Sequence, residues 1–529
     1  MITTRNISFL VLSCTVALSG FSTAANAAMT AAEKAVKAAQ IDNLRKSGAT
    51  ITVLDGTTPV PNLELQIKQI RHHFGFGAAI AKWPFDSAGA IYPETFKKYF
   101  EWATPENEMK WPEVQYEEGA DNYVKGDFLV DWCHTNDIKV RGHNLFWNQS
   151  LNWVPEWMSS IAYEKDYAKG QQVVDERIQG AMTRYKGKCA HWDIINELIH
   201  GQVPTDTTDE NSPQIGSLKA LTGREDQDIF KYVLDECAKI DPETRFCLND
   251  YNLVTQWSDR DAYITAVNNL ISQNCKIDIL GLEGHFGGNV DPTDLKAKID
   301  DIATRIPDKE MWLTEVDFEA FENDRPARLE EILTTAFAHP RIGGVVLWVW
   351  WEGARWREAL TSFLVDSSFA ETNMGAKWRE LLGGWTTSLT ESTSAEGKVT
   401  FSGFQGKYVI TMQKGGQPVT DTIYLNPGNA QNFTIPFDQL VSVDSPQRIS
   451  RTGRTILLNG STISFHLPAS ATGQLYISAY SLSGKLLERK PLSFADGISS
   501  ALTMPAGCHI YSIGTDTQVF HTVRGLNIH

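Results

Sequence analysis

The chain has 529 residues and carries 64 acidic against 48 basic side chains, which gives a formal net charge of −16. A chain of this length exceeds one ordinary hydrophobic core, so two or three domains are expected. The acidic balance argues against nucleic acid and an anionic membrane surface as partners, because both are bound through basic surfaces. The net charge does not argue against a neutral or small molecule as the ligand.

The first 27 residues are typical of an export signal. Arg5 gives the positive start, an apolar run follows at 7–21, and Ala25-Asn26-Ala27 matches the small-residue cleavage pattern. The run is shorter than the roughly 20 residues of a membrane-spanning helix, and no later segment is apolar enough to span. We therefore expect a bacterial-type secreted or cell-surface protein, with lipid attachment at Cys14 as the minor alternative.

Cleavage after Ala27 would leave six cysteines in an oxidising environment. None of them shows the close spacing of a metal site, so no metal is predicted. Several are expected to be small buried side chains, and no disulfide is predicted. The six are Cys133, Cys189, Cys237, Cys247, Cys275 and Cys508.

Residues 28–72 are expected to form a short helix at 29–46 followed by strands within 49–56 and 63–72. Two strands alone are marginal as a folded unit. Because the first and last strands of a closed barrel are neighbours, this flank is predicted to pack with residues 386–436 in one small β-sandwich.

Residues 73–385 contain all 16 tryptophans of the chain, from Trp83 to Trp385. Eight apolar runs alternate there with helical patterns, which predicts a closed (β/α)8 TIM barrel of the α/β class. A doubly wound open sheet is the rival, but no Gly-rich phosphate loop follows the first strand. The eight runs are FGFGAAI, FEWATPEN, KVRGHNLFW, HWDIINE, RFCLNDY, DILGLEGH, MWLTEVDF and GVVLWVW.

The tail has no tryptophan and alternates polar and apolar residues with period two, which indicates short strands. We divide it into a small β region at 386–436 and a C-terminal β-sandwich-like module at 437–529. The module faintly resembles the sorting or attachment modules of some exported bacterial enzymes, which would give it a cell-surface or export-machinery contact. An accessory sandwich of unknown role is the alternative.

Most of the eight barrel runs end in residues able to bind or react. In a barrel of this type all strands direct their carboxyl ends into one mouth, so these side chains are expected to converge there. They are Glu106, Asn107, His143, Trp147, Asn196, Glu197, Asn249, Asp250, Glu283, His285, Glu315, Asp317 and Trp348.

Two of these side chains suit the cleavage of glycosidic bonds. The reaction needs one carboxyl group to protonate the leaving oxygen and another to attack or to activate water. Glu197 and Glu315 end strands four and seven, so they can face each other across the mouth. Their roles require different pKa values.

The same residues carry a family resemblance. TPENEMKW, RGHNLFWN, WDIINE, LNDYN, GLEGH and LTEVDF resemble, in order and spacing, the motifs of glycoside hydrolase family 10, the retaining endo-β-1,4-xylanases. The later LWVWWEGARWRE resembles the aromatic closing segment of that family. The resemblance covers roughly residues 70–385 and implies the barrel that periodicity also predicts.

The resemblance implies that Glu197 is the acid/base and Glu315 the nucleophile, with Asn196, His285 and Asp317 in support. Asp317 is expected to orient His285, which contacts Glu315 or the sugar. The substrate-binding positions that match are Glu106, Asn107, Lys110, His143, Trp147, Tyr251, Glu283, Trp348 and Trp356. Trp350 and Trp351 are expected to pack in the core.

Two positions depart from the family pattern. Asn148 stands where His is common, which predicts an altered sugar contact. Glu283 stands where Gln is common, and a second carboxylate beside Glu315 raises one of the two pKa values unless a cation compensates. From sequence alone, replacement of Glu283 by Gln is expected to move the lower limb of the pH profile.

The sequence thus predicts a secreted retaining endo-β-1,4-xylanase that needs no cofactor and takes xylan or xylo-oligosaccharides as its substrate. The alternatives are another β-glycanase or glycosidase on the same barrel and, in a different class, a non-catalytic glycan-binding surface protein. Intact Glu197 and Glu315 favour the enzyme.

Overall fold

The computed structural model describes residues 29–202, 216–288 and 290–440, and beyond residue 440 it describes eight separate strands. The predicted export signal, Cys14 and Cys508 lie outside the described residues. Within these ranges no helix combines the length and apolar character needed to cross a membrane.

The N-terminal flank begins with helix α1 (Ala31–Arg45), which starts at a capping box formed by Thr30 and Glu33. At its other end the buried Arg45 guanidinium donates hydrogen bonds of 2.7–2.8 Å to three backbone carbonyls near the end of the barrel domain, those of Phe337, His339 and Ile342. These bonds fix the helix to the barrel. The strands that follow are β1 (Lys46–Asp55), β2 (Thr58–Pro59) and β3 (Glu64–His72).

Eight parallel strand positions form the closed barrel that the sequence predicts. The third of them is divided into two short segments, β6 and β7, which both pair with β8. The ring closes where β12 pairs with β4. The barrel strands are β4 (Gly75–Ile80), β5 (Trp102–Pro105), β6 (Lys139–Gly142), β7 (Phe146–Trp147), β8 (His191–Asn196), β9 (Arg245–Asp250), β10 (Ile279–Phe286), β11 (Glu310–Phe318) and β12 (Ile342–Leu347).

Helices connect the barrel strands and cover them on the outside. In chain order they are α2 (Trp83–Ser87), α3 (Ile91–Tyr99), α4 (Trp111–Val114), α5 (Val124–Thr135), α6 (Ser159–Glu164), α7 (Tyr167–Arg184), α8 (Ser217–Thr222), α9 (Asp226–Ile240), α10 (Arg260–Ser272), α11 (Pro292–Arg305), α12 (Arg325–Phe337) and α13 (Asn373–Gly384). Short 3-10 turns occur at Leu151–Trp153, Glu156–Met158, His200–Gln202, Glu352–Ala354 and Phe437–Gln439.

A small apolar cluster around Trp312 lies among the barrel strands. Gly75 and Gly344 make room for this indole, since a Cβ atom on either would lie within 2.3 Å of a ring carbon. The strand contacts therefore depend on the absence of side chains at these two positions. The other buried members of the cluster are Trp102, Cys247, Ile279 and Val346.

Strands from both sides of the barrel form two further sheets. One has the order β14-β1-β17 with β2 beside β1, and the other has the order β13-β3-β15-β16. Ile51 lies opposite Val399, and Ile67 lies opposite Leu389. These pairings join strands of the flank at 28–72 to strands of residues 386–436, between which the sequence predicts packing. The strands of the tail are β13 (Ser388–Ser392), β14 (Lys398–Phe404), β15 (Gly406–Lys414), β16 (Gln417–Leu425) and β17 (Gln431–Pro436).

The chain divides into two compact units. The first contains the barrel and continues to Ile410, with Asp421–Ile435 added; the second contains Thr411–Thr420 and the residues from Pro436 onward. The sequence places Thr411–Thr420 in the small β region instead. Within the second unit, the Lys414 ammonium donates to the carbonyls of Asp438 and Leu440, both at 2.8 Å.

The last part of the second unit contains two four-stranded sheets, with the orders β19-β18-β23-β22 and β21-β20-β24-β25. Their strands are β18 (Gly453–Leu458), β19 (Ser461–His466), β20 (Tyr476–Tyr480), β21 (Leu486–Pro491), β22 (Phe494–Ala495), β23 (Ile498–Leu502), β24 (Ile510–Gly514) and β25 (Val519–Arg524).

Five cysteines fall within the described residues, and all five are unpaired and buried. They act there as small apolar side chains.

Candidate active site

A cleft of about 1190 Å³ opens at the carboxyl ends of the barrel strands. Of the residues that the sequence predicts at the mouth, Asn249, Asp250 and Asp317 are fully buried and do not line the cleft; Asp317 lies behind His285. The predicted site residues that line the cleft are Glu106, Asn107, Lys110, His143, Trp147, Asn196, Glu197, Tyr251, Glu283, His285, Glu315, Trp348 and Trp356.

The backbone is irregular where the two predicted catalytic carboxyl groups project. Glu197 and Glu315 have φ angles of 53° and 59°, which is the left-handed region that side chains other than glycine rarely adopt. The strand register also shifts, between Asp193 and Ile195 in β8 and between Leu313 and Val316 in β11. Such irregularities re-aim side chains at the end of a strand.

Glu315 is held as a carboxylate. The Asn249 amide donates a hydrogen bond to its Oε1 atom at 2.9 Å, and the Arg141 guanidinium lies 3.6 Å from the same oxygen. The His285 Nε2 atom lies 3.5 Å from the other oxygen, Oε2. Burial alone would raise the pKa of Glu315, but His285 and Arg141 outweigh burial and bring this pKa to about 2.

Glu197 has the opposite environment. The residue is only 6% exposed, and its Oε2 atom has no hydrogen-bond partner among the described residues. Burial, together with the negative charges of Asp250 and Glu315, raises the pKa of Glu197 to about 8. At neutral pH, Glu197 therefore holds a proton while Glu315 is ionised.

His285 is fixed from behind by Asp317, as the sequence leads us to expect. Its Nδ1 atom lies 3.0 Å from Asp317 Oδ1, and the Trp356 indole donates to Asp317 Oδ2 at 2.8 Å. Burial would lower the pKa of His285, but the carboxylates of Asp317 and Glu315 raise it to about 10. His285 is thus a permanent cation at neutral pH.

Glu283, His285 and Glu315 also bring their ligand atoms within 4.8 Å of one another, a spacing compatible with a metal ion. A metal ligand must give up its proton. Without a metal ion, the raised pKa of His285 keeps its imidazole protonated, and this positive charge offsets the negative charge of Glu315.

Glu283 lies deep in the same cluster. The Asn249 amide donates to its Oε1 atom at 2.7 Å, and His285 Nε2 lies 3.6 Å from its Oε2 atom. Burial and the charges of Glu315 and Glu197 raise the pKa of Glu283 well above its usual range. The carboxyl group is therefore neutral near Glu315, and one of the two pKa values is raised, as the sequence predicts for two neighbouring carboxyl groups.

Arg141 and Asp193 are missing from the sequence-based site, and with the predicted residue His143 they form a buried network beneath Glu315. Arg141 and Asp193 form an ion pair at 2.6 Å, and His143 Nδ1 lies 2.8 Å from the same Asp193 oxygen. All three residues are at most 1% exposed. A signal for this network is present in the sequence. Arg141 in the motif RG and Asp193 in the motif HWD are charged residues inside otherwise apolar strand runs.

His200 is another residue missing from the sequence-based site, and it pairs with the predicted residue Asp250 behind Glu197. His200 Nδ1 lies 2.5 Å from Asp250 Oδ1, and the His200 ring stacks on Tyr251 with centroids 3.5 Å apart. The Tyr251 hydroxyl accepts a hydrogen bond from Gln149 at 3.3 Å. Tyr251 is therefore held from two sides where it lines the cleft.

Asn148 does not make the altered sugar contact that the sequence predicts. Its side chain is completely buried and is absent from the cleft lining. The amide oxygen accepts the backbone N–H of Leu218 at 3.2 Å, and the amide nitrogen lies 3.4 Å from the Leu198 carbonyl. Asn148 is directed toward these loop backbones, so its role is to join them.

Aromatic and polar groups alternate along the cleft. Trp147 stacks on Trp153 with centroids 3.7 Å apart, and the Lys110 ammonium lies 4.6 Å from the centre of the Trp147 ring. Lys110 also donates to Asn107 at 3.0 Å. Flat rings beside hydrogen-bonding groups suit pyranose sugars, whose C–H faces are apolar and whose hydroxyl groups are polar. Trp350 and Trp351 are buried in the core instead.

Comparison with known families gives one match over most of the barrel. The family described as "Glycosyl hydrolase family 10" matches residues 66–376. This range contains every site residue named above.

Two relatives illustrate the sequence similarity. Anti-sigma-I factor RsgI6 of Acetivibrio thermocellus is 33% identical over 394 residues, which cover 74% of this chain and 48% of that protein. Endo-1,4-beta-xylanase 2 of Arabidopsis thaliana is 27% identical over 392 residues, which cover 73% of this chain and 34% of that protein. The chain thus spans about half the length of these relatives or less.

Solved structures share the fold. Native xylanase 10B from Thermotoga maritima matches with a TM-score of 0.51 and 18% identity, covering 59% of this chain and 95% of that chain. Xylanase 10B from Thermotoga petrophila RKU-1 in complex with xylobiose matches with a TM-score of 0.50 and 18% identity, covering 59% and 94%. At this identity the likeness establishes the barrel fold alone.

The neutral state of Glu283 gives a test. Glu283→Gln replaces a neutral carboxyl group by a neutral amide of the same shape, so the lower limb of the pH profile of kcat/KM for an activated aryl glycoside should stay in place. Glu283→Ala removes the acceptor for Asn249 and should lower kcat. A lower limb displaced in the Gln variant would show that Glu283 is ionised beside Glu315.

Proposed function

The chain belongs to glycosyl hydrolase family 10, and from this premise we propose that it is an endo-β-1,4-xylanase that hydrolyses the xylan backbone with retention of configuration. The observation that carries the proposal is the opposite ionisation of two carboxyl groups in one cleft. The pKa of Glu197 is raised to about 8, while that of Glu315 is lowered to about 2. This is the pairing of acid and nucleophile that a retaining glycosidase requires.

In the proposed first step, the Glu315 carboxylate attacks the anomeric carbon while protonated Glu197 gives its proton to the leaving oxygen. The C–O bond to the leaving sugar breaks, and a glycosyl ester forms on Glu315. In the second step Glu197, now ionised, removes a proton from water, and the water oxygen displaces Glu315. Each turnover returns both carboxyl groups to their starting states.

The orientation of the substrate follows from the order of the strands. Glu197 protonates the leaving group and follows β8, and Tyr251 follows the neighbouring strand β9. Glu106 and Asn107 follow β5, on another part of the ring. We therefore place the leaving sugars toward Tyr251 and the non-reducing sugars toward Glu106 and Asn107, as the family resemblance also implies.

The choice of xylan rests on the relatives. Several of them are named endo-1,4-beta-xylanase, from Arabidopsis thaliana and Hypocrea jecorina, at 26–28% identity. The two steps above use only carboxyl groups and water, so the proposed reaction needs no cofactor.

The different-class alternative is a non-catalytic glycan-binding protein. One relative, RsgI6, is named an anti-sigma-I factor, and its name describes no hydrolase. A binding protein has no need of two carboxyl groups with opposed pKa values, and this favours the enzyme.

Hydrolysis of three polysaccharides decides among these functions. Release of reducing sugar should be rapid from xylan and at least about tenfold slower from cellulose and mannan. Preferred release from cellulose or mannan would identify another β-glycanase. Binding of xylan without any release of sugar would identify the glycan-binding protein.

Azide rescue tests the two roles. Glu197→Ala and Glu315→Ala should each lower xylan hydrolysis by at least about 10²-fold, whereas the control Glu319→Ala, outside the cleft lining, should not. With an activated aryl xyloside, azide should give a glycosyl azide of retained configuration in the Glu197 variant and of inverted configuration in the Glu315 variant. The reverse pairing would exchange the two roles.

We also propose that the protein is exported and that residues 437–529 provide its cell-surface or export-machinery contact. The proposal is supported by the signal pattern in the first 27 residues. N-terminal sequencing of the exported protein should find Ala28 first. A mature chain that retains residues 1–27 would contradict cleavage, and a lipid-modified cysteine at its start would identify the lipoprotein alternative.

A further inference from the structure

Trp83 is an exposed indole in the cleft to which the two catalytic steps give no role. It is the first residue of α2, directly after barrel strand β4, and it is 49% exposed. It lines the same cavity as Glu315 and Glu197. Large apolar side chains that stay exposed in a binding cleft often mark contacts with a ligand.

The order of the strands places Trp83 on the side of the cleft that the proposed substrate orientation gives to the non-reducing sugars. Strand β4 lies between β5 and β12 in the barrel ring, whereas the strands that precede Glu197 and Tyr251 are β8 and β9. Trp83 is therefore a neighbour of the loops that carry Asn107 and Trp348. Sugars that reach it lie on the side of the cut opposite to the leaving group.

One side of the Trp83 ring has a rigid support. The ring packs on Trp351 with centroids 5.6 Å apart, and Trp351 in turn stacks on Phe369 with centroids 4.8 Å apart and planes 12° apart. Trp351 is only 6% exposed. The indole therefore has little freedom to lose when a ligand binds.

The buried Glu108 carboxylate fixes Trp83 relative to the loop after β5, which carries Asn107. Its Oε1 atom accepts the backbone N–H of Lys82 at 2.5 Å, and its Oε2 atom accepts the backbone N–H of Asn107 at 3.2 Å. One side chain thus joins the residue before Trp83 to a predicted sugar ligand. The two loops are held in one arrangement before substrate enters.

Two ion pairs line the same cleft as Trp83, and Lys82 in one of them directly precedes Trp83 in the chain. Lys82 contacts Asp86 at 2.6 Å, and Lys125 contacts Glu113 at 3.0 Å, and all four residues line the cleft. These pairs offer donors and acceptors to hydroxyl groups while adding little net charge. An aromatic face beside such groups suits a neutral pyranose ring.

We propose that Trp83 forms an additional sugar-binding position, in which its indole stacks on a xylose unit beyond those held by Glu106, Asn107 and Lys110. This proposal rests on the proposed xylanase function and deepens it. Trp83 acts as a specificity-determining residue, because only a chain with enough sugars on the non-reducing side reaches it.

The experiment uses 4-nitrophenyl β-glycosides of xylobiose, xylotriose and xylotetraose. The aryl group occupies the leaving-group side, so added sugars extend only toward the non-reducing end. In the wild-type protein kcat/KM should rise as the chain becomes long enough to contact Trp83. In Trp83→Ala the increase in kcat/KM with chain length should be about two- to tenfold smaller than in the wild-type protein. This range corresponds to the free energies measured for aromatic contacts. The xylobioside should be cleaved at the wild-type rate, which also shows that the variant is folded.

Trp83→Phe keeps a flat ring and should retain most of the rise. The matched control is Trp257→Ala, since Trp257 is 52% exposed but does not line the cleft, and it should leave the chain-length dependence unchanged. An unchanged rise in Trp83→Ala, or an equal loss in Trp257→Ala, would refute the proposal. If the wild-type protein cleaved none of the glycosides, the result would contradict the proposed xylanase function, and the proposed sugar-binding position at Trp83 would be contradicted with it.

Discussion

The burial of several carboxyl groups at one end of the barrel is the constraint on which the site depends. Asp193, Glu283, Glu315 and Asp317 are almost inaccessible to solvent, and like charges in such a place repel each other strongly. The structure resolves this in two ways. Arg141 and protonated His285 compensate the groups that ionise, whereas Glu197 and Glu283 keep their protons. The opposite ionisation states of Glu197 and Glu315 are therefore a result of charge balance.

The barrel is what brings these compensating groups together. Arg141 on β6, Asp193 on β8 and Glu315 on β11 are far apart in the chain, but the closed ring directs them into one space. Asn249 on β9 then contacts Asn196, Glu283 and Glu315 through a single amide group. One side chain on β9 thus connects to β8, β10 and β11, and the positions of the carboxyl groups are set before any substrate binds.

The sequence predicts this site well where the signal is local. Strand ends such as IINE and LTEVD place Glu197 and Glu315 at the mouth, and the eight runs predict the barrel. Sequence patterns miss the Arg141–Asp193 pair because each charge looks like an interruption of its own strand, and the two meet only once β6 and β8 are neighbours. The prediction of a sugar contact by Asn148 is wrong, because the side chain of a residue next to Trp147 need not point in the same direction as the Trp147 side chain. The neutral state of Glu283 depends on burial, which no local pattern contains.

The raised pKa of Glu197 also couples folding to the uptake of a proton. In an unfolded chain this group has its ordinary pKa of 4.5, whereas in the folded protein its pKa is about 8. A raised folded-state pKa stabilises the fold fully below pH 4.5, and that contribution is lost as the pH rises toward 8. Glu315 acts in the opposite sense, because its lowered pKa stabilises the fold above pH 4.5 and this contribution is lost as the pH falls toward 2. At neutral pH, folding therefore transfers a proton from solvent to Glu197, so the proton that the proposed first step requires is already bound in the folded protein.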